Sequence, residues 1–409
     1  MAKILILYVG TRRLAGVVAE PTPEASRILR FTQIEHPAGF QKGEVVQLDK
    51  AMQSLEEILK RLELGEEVSK VPTYGLLSHV PLKMSRFSSS IYYGGYPRPI
   101  TPQEIRRVVD QTKSVAPLPL EDWVLQLVPE SFWVNDLKGV SNPLGLDAQR
   151  LAVTLQIFTT AYGSFRNLSR LFESLELNVQ GFFPKTLVLP DGVLMPAEKE
   201  GEALILDISE DVTHLVLTQE GRIVQTRSLD LGSQLLTRRV AETWKLGVRD
   251  AEVLKERFGS FEENPQFGEE LIPLVERNGH KNHQIKRAEF HEAFLGFGEE
   301  FFSRLKEEMT HFLSQENAAF PHFVVTGGSV KLDGFLDFLS RCFSTQVRLG
   351  TPRLTEGAAE FLMDPGWAGV AGLLRWLERG EDFKLPLQAK ENLLERTFGQ
   401  VKDWLAAYF

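Results

Sequence analysis

Two stretches of the chain share one hydrophobic pattern: an apolar strand, a short polar turn, then a second apolar strand. The first spans residues 4–18 around Gly10-Thr11-Arg12-Arg13, and the second spans residues 203–217 around Ser209-Glu210-Asp211. Self-similarity within a chain constrains its architecture before local detail does. Here it predicts two like halves, each opening with a hairpin whose turn faces its twin across a cleft. Two unrelated hairpins of an ordinary α/β protein would give the same pattern, and the pattern alone leaves both readings open.

Between the hairpins, residues 26–34 read as a third strand. Met52, Leu55, Ile58, Leu59 and Leu62 recur at the helical period, with Asp49 as a candidate N-cap. Residues 71–80 read as a strand. Residues 85–96 alternate as an antiparallel strand pair would. Thr101-Pro102-Gln103-Glu104 has capping-box spacing and predicts a helix to residue 115. With strands at 123–129 and 151–160 and a turn at Asn142-Pro143-Leu144-Gly145, residues 84–161 form a small α+β insertion. A helix at 163–175, a strand with turns at 178–188 and a helix beginning at Asp191-Gly192 lead into the second hairpin. Beyond it the pattern predicts a helix over 234–244, another beginning at Ala251, loops over 259–283 and a long amphipathic helix over 286–314. A strand from Phe323 runs into Thr326-Gly327-Gly328-Ser329. A helix over 335–343, a short strand over 347–350 and a small-residue helix over 367–376 follow.

With 409 residues the chain exceeds one hydrophobic core, so two or more domains are expected. The net charge of −9 argues against a nucleic-acid partner, which would require a basic face. The lone Cys342 makes no internal disulfide and reads as a small core residue, and no metal-ligand spacing is present. His280 and His283 read as solvated. The apolar run at residues 4–9 is too short for a signal peptide, and no stretch reaches the roughly 18 apolar residues of a spanning helix. A cytoplasmic protein is the expectation.

Glycine turns let backbone amides approach a nucleotide's phosphates. Gly10-Thr11, Gly232-Ser233 and Thr326-Gly327-Gly328-Ser329 occur in the order such a cleft needs. Asp207 could hold a magnesium ion through water. The position matching Asp207 in the first hairpin is Tyr8, however, and the second turn carries Glu210 and Asp211. A carboxylate within about 4 Å of a phosphate costs about 1 kcal/mol per charge pair in water and more in a cleft. Weakened nucleotide affinity and hydrolysis are therefore predicted, with Arg12 and Arg13 offsetting part of the repulsion if they point inward.

Several segments together resemble the FtsA family, the actin-like cell-division proteins of bacteria. Val9-Gly10-Thr11 is similar to its first phosphate loop, and Gly95-Tyr96-Pro97-Arg98-Pro99-Ile100-Thr101 to its Arg-Pro-Ile-Thr segment. Asn142-Pro143-Leu144-Gly145-Leu146 is similar to a stretch of its inserted subdomain. Ala251-Glu252 with Lys255 and Gly259 resembles the helix flanking its nucleotide, and Val325-Thr326-Gly327-Gly328 its adenosine loop. Val347-Arg348-Leu349-Gly350 and Ala371-Gly372-Leu373 resemble its closing segments.

The resemblance implies an α/β, actin-like (ribonuclease H-like, duplicated) two-lobed fold with an inserted SHS2-type subdomain. The lobes would comprise 1–83 with 162–200 and 201–245 with 319–378, the insertion 84–161 and a small subdomain 246–318. It implies ATP and magnesium as cofactors, held by Gly10, Thr11, Arg12, Asp207, Thr213, Gly232, Glu252, Lys255, Gly327 and Gly328, with Asp207 toward the metal. It also implies a polymerising scaffold that binds the FtsZ C-terminal tail on 246–318 and other divisome proteins on the insertion. The departures are Tyr8 for an acidic residue, Ser209-Glu210-Asp211 for a glycine-rich turn, and Thr237-Arg238-Arg239 for a polar–Asp pair.

After a charged linker at 379–390, residues 391–409 read as an amphipathic helix. Leu394, Phe398, Val401, Leu405 and Tyr408 form one stripe, with Trp404 and Phe409 at its edges. Such a helix can lie in a membrane interface, as the resemblance implies at the inner face of the cytoplasmic membrane, or it can dock on the body or a partner. Its charges balance, so burial of the apolar face would supply the binding. Two other readings are a PilM-like adaptor of pilus or secretion machinery and an active ATPase or kinase of the actin superfamily.

Overall fold

The computed structural model describes residues 3–22, 26–80, 82–263, 265–275, 282–314, 322–352 and 363–378. The linker and the terminal helix, with Leu394, Phe398, Val401, Trp404, Leu405, Tyr408 and Phe409, lie outside the described residues, as does His280. The described chain divides into a large unit of residues 1–84, 120–125 and 159–378 and a smaller one of residues 85–119 and 126–158.

The large unit begins with β1 (Ile4–Val9), β2 (Arg13–Glu20) and β3 (Arg27–Glu35), followed by the short pair β4 (Phe40–Gln41) and β5 (Glu44–Val45). Helix α1 (Leu48–Arg61) and β6 (Pro72–Leu77) precede the smaller unit. All six residues of β1 are buried, as expected of a central strand covered on both faces. Helix α1 is capped at Gln47, without a side-chain cap, so Asp49 is not the N-cap. Asp49 lies in the first turn instead, where its charge complements the helix dipole.

The smaller unit is built from β7 (Leu82–Tyr92), β8 (Arg98–Pro99), α2 (Pro102–Val115), β9 (Asp122–Val134), β10 (Leu137–Val140), β11 (Asp147–Ala148) and β12 (Arg150–Ala161). Its sheet runs β10-β9-β12-β7. Residues 85–96 are therefore not a strand pair: one long strand, β7, lies beside β12 and accounts for the alternation. The capping box is present, with the Thr101 N–H donating to Glu104 Oε2 at 2.8 Å.

The chain returns to the large unit through α3 (Tyr162–Ser174), β13 (Asn178–Pro184) and α4 (Lys185–Val193). Strand β13 occupies most of the extended stretch expected over 178–188, but α4 takes its last residues, and Asp191-Gly192 lie near the end of α4 rather than at a helix start. Every residue of α4 is buried, so no 3.6-residue alternation marks it in the sequence. Next come β14 (Glu202–Ile208), β15 (Thr213–Gln219), β16 (Arg222–Leu229), α5 (Gln234–Trp244) and α6 (Val248–Phe258). Helix α6 starts three residues before the predicted Ala251. The polar stretch read as loops contains a hairpin, β17 (Leu271–Val275) and β18 (Asn282–Lys286). It is followed by α7 (Arg287–Ser314), β19 (His322–Thr326), α8 (Phe335–Phe343), β20 (Arg348–Leu349) and α9 (Ala368–Glu378).

Two five-stranded sheets organise this unit, β13-β6-β1-β2-β3 and β16-β15-β14-β19-β20. Each has an antiparallel three-stranded meander continued by two parallel strands. The duplication extends to the turns. Gly10 N–H donates to Arg13 O at 2.8 Å, and Ser209 N–H donates to Val212 O at 2.9 Å, closing the same three-residue step. Tyr8 and Asp207 are therefore equivalent, each two residues before the turn donor. Separate apolar cores pack against the sheets. One joins β1 and β2 to α1 and α3; the other is rich in phenylalanine and includes Phe261, Phe290, Phe294, Phe302 and Phe335. Helices α4 and α9 cross closely through glycines. A Cβ on Gly372 would stand 2.0 Å from Val188 O, and one on Gly192 2.2 Å from Ala368 O.

Candidate functional site

The two hairpin turns, the start of α5, the inner face of α6 and the loop after β19 enclose a cavity of about 380 Å³. Tyr8, Thr11, Arg12, Arg13, Ser209, Glu210, Ser233, Glu252, Lys255, Gly328 and Ser329 are among the residues that line it. Of the residues singled out from sequence, Thr11, Arg12, Glu252, Lys255 and Gly328 are thus brought together.

Gly10, Asp207, Thr213, Gly232 and Gly327 do not line this cavity. Gly10 spends its N–H on the turn. Thr213 is buried and donates to Leu231 O at 2.6 Å, holding the segment before α5. Gly232 is a packing glycine, since a Cβ there would lie 2.1 Å from Glu210 O. Gly327 has φ +101° and donates to Pro365 O, and a Cβ on it would meet Ile208 O at 2.3 Å. Only glycine fits that conformation and that approach.

Arg12 dominates the cavity's electrostatics. Its Nη1 lies 2.9 Å from Glu252 Oε1 and 3.1 Å from Glu256 Oε1, Nε lies 3.6 Å from Glu210 Oε2, and Nη2 lies 3.6 Å from Glu35 Oε2. Burial alone would lower the guanidinium's pKa, but these carboxylates outweigh it and raise it. Glu252 is held again by Lys255 Nζ at 2.9 Å and by a short hydrogen bond from the Thr237 hydroxyl. Its carboxyl lies below the usual range because these cations and the hydroxyl overcome the opposing effect of burial. Glu210 is shifted upward, first by burial and then by Glu252 and Asp211, with Arg12 opposing. Lys331 pairs with Asp364, and Arg13 lies over the Trp367 ring, 5.7 Å from its centroid.

Outside the cavity lining, Lys185 Nζ lies 2.7 Å from Asp207 Oδ2, with both side chains almost wholly buried. Burial would lower the ammonium's pKa, but Asp207 more than compensates and raises it. Lys185 was not among the residues singled out from sequence. No period marks it, and a single Lys in an apolar run usually reads as an exposed side chain.

The donor set fits a magnesium–nucleoside triphosphate poorly. Magnesium keeps several waters when bound through carboxylates, yet Asp207 has no solvent-exposed surface and an ammonium already lies against it. Two backbone donors at the start of α5 are committed as well. Ser233 N–H donates to Ser209 O at 3.1 Å and Gln234 N–H to Glu210 O at 2.8 Å.

With this geometry in view, similarity to known proteins is specific. Residues 204–372 match the family model described as Cell division protein FtsA, and residues 82–159 match that of the SHS2 domain inserted in FTSA. The Cell division protein FtsA of Pseudomonas aeruginosa is 24% identical over 377 residues, covering 91% of this chain and 88% of that relative. The Escherichia coli strain K12 protein of that name is 22% identical over 405 residues, covering 98% and 94%. Among solved structures, one of a PilM–PilN type IV pilus biogenesis complex matches with TM-score 0.62 and 17% identity, covering 92% of this chain and 98% of that one. MreB 5 of Spiroplasma citri bound to AMPPNP matches with TM-score 0.57 and 11% identity, covering 94% and 99%. These likenesses establish an actin-like fold for the body, with the inserted SHS2 domain.

Proposed function

The chain belongs to the FtsA family of cell division proteins, and from that membership we propose that it is a membrane-bound adaptor joining an FtsZ polymer to the inner face of the cytoplasmic membrane. The observation that carries the reading is the inserted domain at residues 82–159 in a chain whose body matches the same family. In this reading the small subdomain at 246–318 takes the FtsZ C-terminal tail, the insertion meets other division proteins, and copies of the chain associate into a filament. A scaffold of this kind works by position, so it needs no rapid turnover.

Residues 391–409 would supply the anchor, and no helix among the described residues is long and apolar enough to cross a membrane. An apolar stripe that includes Phe398, Trp404 and Tyr408 would bind by burial in the interface, with little help from charge. The test has two arms. A pull-down with an FtsZ C-terminal peptide should retain the full chain. Co-sedimentation with phospholipid vesicles should be lost on removal of 391–409. Failure to retain the chain would remove the adaptor reading, and sedimentation unchanged by the deletion would remove the anchor.

A further inference from the structure

We propose that Arg12 and Lys185 are built-in cations that hold the two halves of the actin-like body together, in the role a magnesium nucleotide would otherwise fill. Both come from the first half of the duplicated fold. Arg12 stands in the turn between β1 and β2, and Lys185 opens α4 directly after β13. Both meet carboxylates of the second half: Glu210 and Asp207 at the second hairpin, and Glu252 and Glu256 on α6. Arg12 and Glu252 are 240 residues apart in sequence.

The arrangement answers two of the departures noted in the sequence, Tyr8 and Glu210. Tyr8, in place of a carboxylate, adds no negative charge beside the buried Lys185–Asp207 pair. Glu210 would repel phosphate but accepts Arg12. The guanidinium offers a fork of donors suited to several carboxylates at once. A polyanion entering the cavity would have to displace Arg12 from Glu252 and Glu256, leaving Glu256 without that cation and Glu252 with Lys255 alone while phosphate faces both. The joining of the two halves is thus a property of the polypeptide, consistent with a scaffold that stays assembled whatever the nucleotide supply.

The test is hydrogen exchange on the full chain, read at the first hairpin turn and along α6, with and without millimolar magnesium ATP, alongside calorimetric titration of the same ligand. In the wild type both segments should be protected, magnesium ATP should leave exchange unchanged, and the titration should give no saturable heat. Arg12→Ala should raise exchange in both segments by about tenfold or more, and Arg12→Lys should recover part of the protection. Glu256→Gln removes an exposed partner at little risk to folding and should give a smaller increase in the same two segments. Saturable nucleotide binding that adds protection to the wild type would overturn the proposal. So would unchanged exchange in folded Arg12→Ala or, should that variant not fold, in Glu256→Gln. None of these readouts depends on binding of FtsZ.

Discussion

Lys185 and Asp207 form a buried ion pair, 2.7 Å between Nζ and Oδ2, and neither side chain lines the cavity. Removing one partner of such a pair leaves a charge without solvent or counter-charge. The cost is typically about 3–5 kcal/mol, whereas replacing both with apolar groups of similar volume is often neutral. Lys185→Ala should therefore lower the urea midpoint strongly, and Lys185→Met combined with Asp207→Leu should recover most of the loss. Equal losses in the single and double variants would show that the cost does not come from an unpaired buried charge.

His214, the cross-strand partner of Asp207, donates or accepts at Nδ1 with Ser228 Oγ at 2.8 Å and is fully buried. Burial, the largest influence, drives its pKa down from 6.5 to about 4. Between those values the unfolded chain binds a proton that the native site refuses, so stability should fall as pH drops from 6.5 toward 4. The shift corresponds to roughly 3 kcal/mol. His214→Gln should flatten that part of the stability–pH curve, measured by denaturation at a series of pH values. A slope unchanged by the substitution would assign the acid sensitivity to other groups.

Elements with a strong period were legible in the sequence. Helices α5 and α8 fall on the residues expected, and the twin hairpins recur with the same closing hydrogen bond. Helix α4 was missed because uniform burial erases the amphipathic signal, and Lys185 was missed with it. The hairpin β17–β18 carries no clean alternation in the sequence: β17 is uniformly apolar with Pro273 at its centre, and β18 is mostly polar. At the cavity, sequence named Arg12 and Glu252 separately. Their pairing depends on a separation of 240 residues, which only the folded chain closes.

The crossing of α4 and α9 leaves no room for a side chain at Gly372, where a Cβ would stand 2.0 Å from the Val188 carbonyl. Relief requires backbone movement of one helix against the other, because the obstructing atom is not a flexible side-chain end. Gly372→Ala should cost at least about 2 kcal/mol and lower the thermal midpoint. Gly163→Ala, at a helical position with nothing within 4 Å, should leave the midpoint nearly unchanged.

Removing the Arg12 guanidinium should have a pH signature that simple loss of packing would not. Glu210, Glu252 and Glu256 would then share the cavity with Lys255 as the nearest remaining cation. Glu210 already lies above its usual value from burial, with Arg12 opposing the rise, so loss of Arg12 should raise it further. The folded variant would then bind more protons than its unfolded chain through the carboxylate range, and its stability should decline as pH rises across it. The stability gap between wild type and Arg12→Ala is therefore expected to be small near pH 4 and to widen toward neutrality, read as the difference in urea midpoints. A gap constant over that range would mean that Arg12 contributes packing rather than charge.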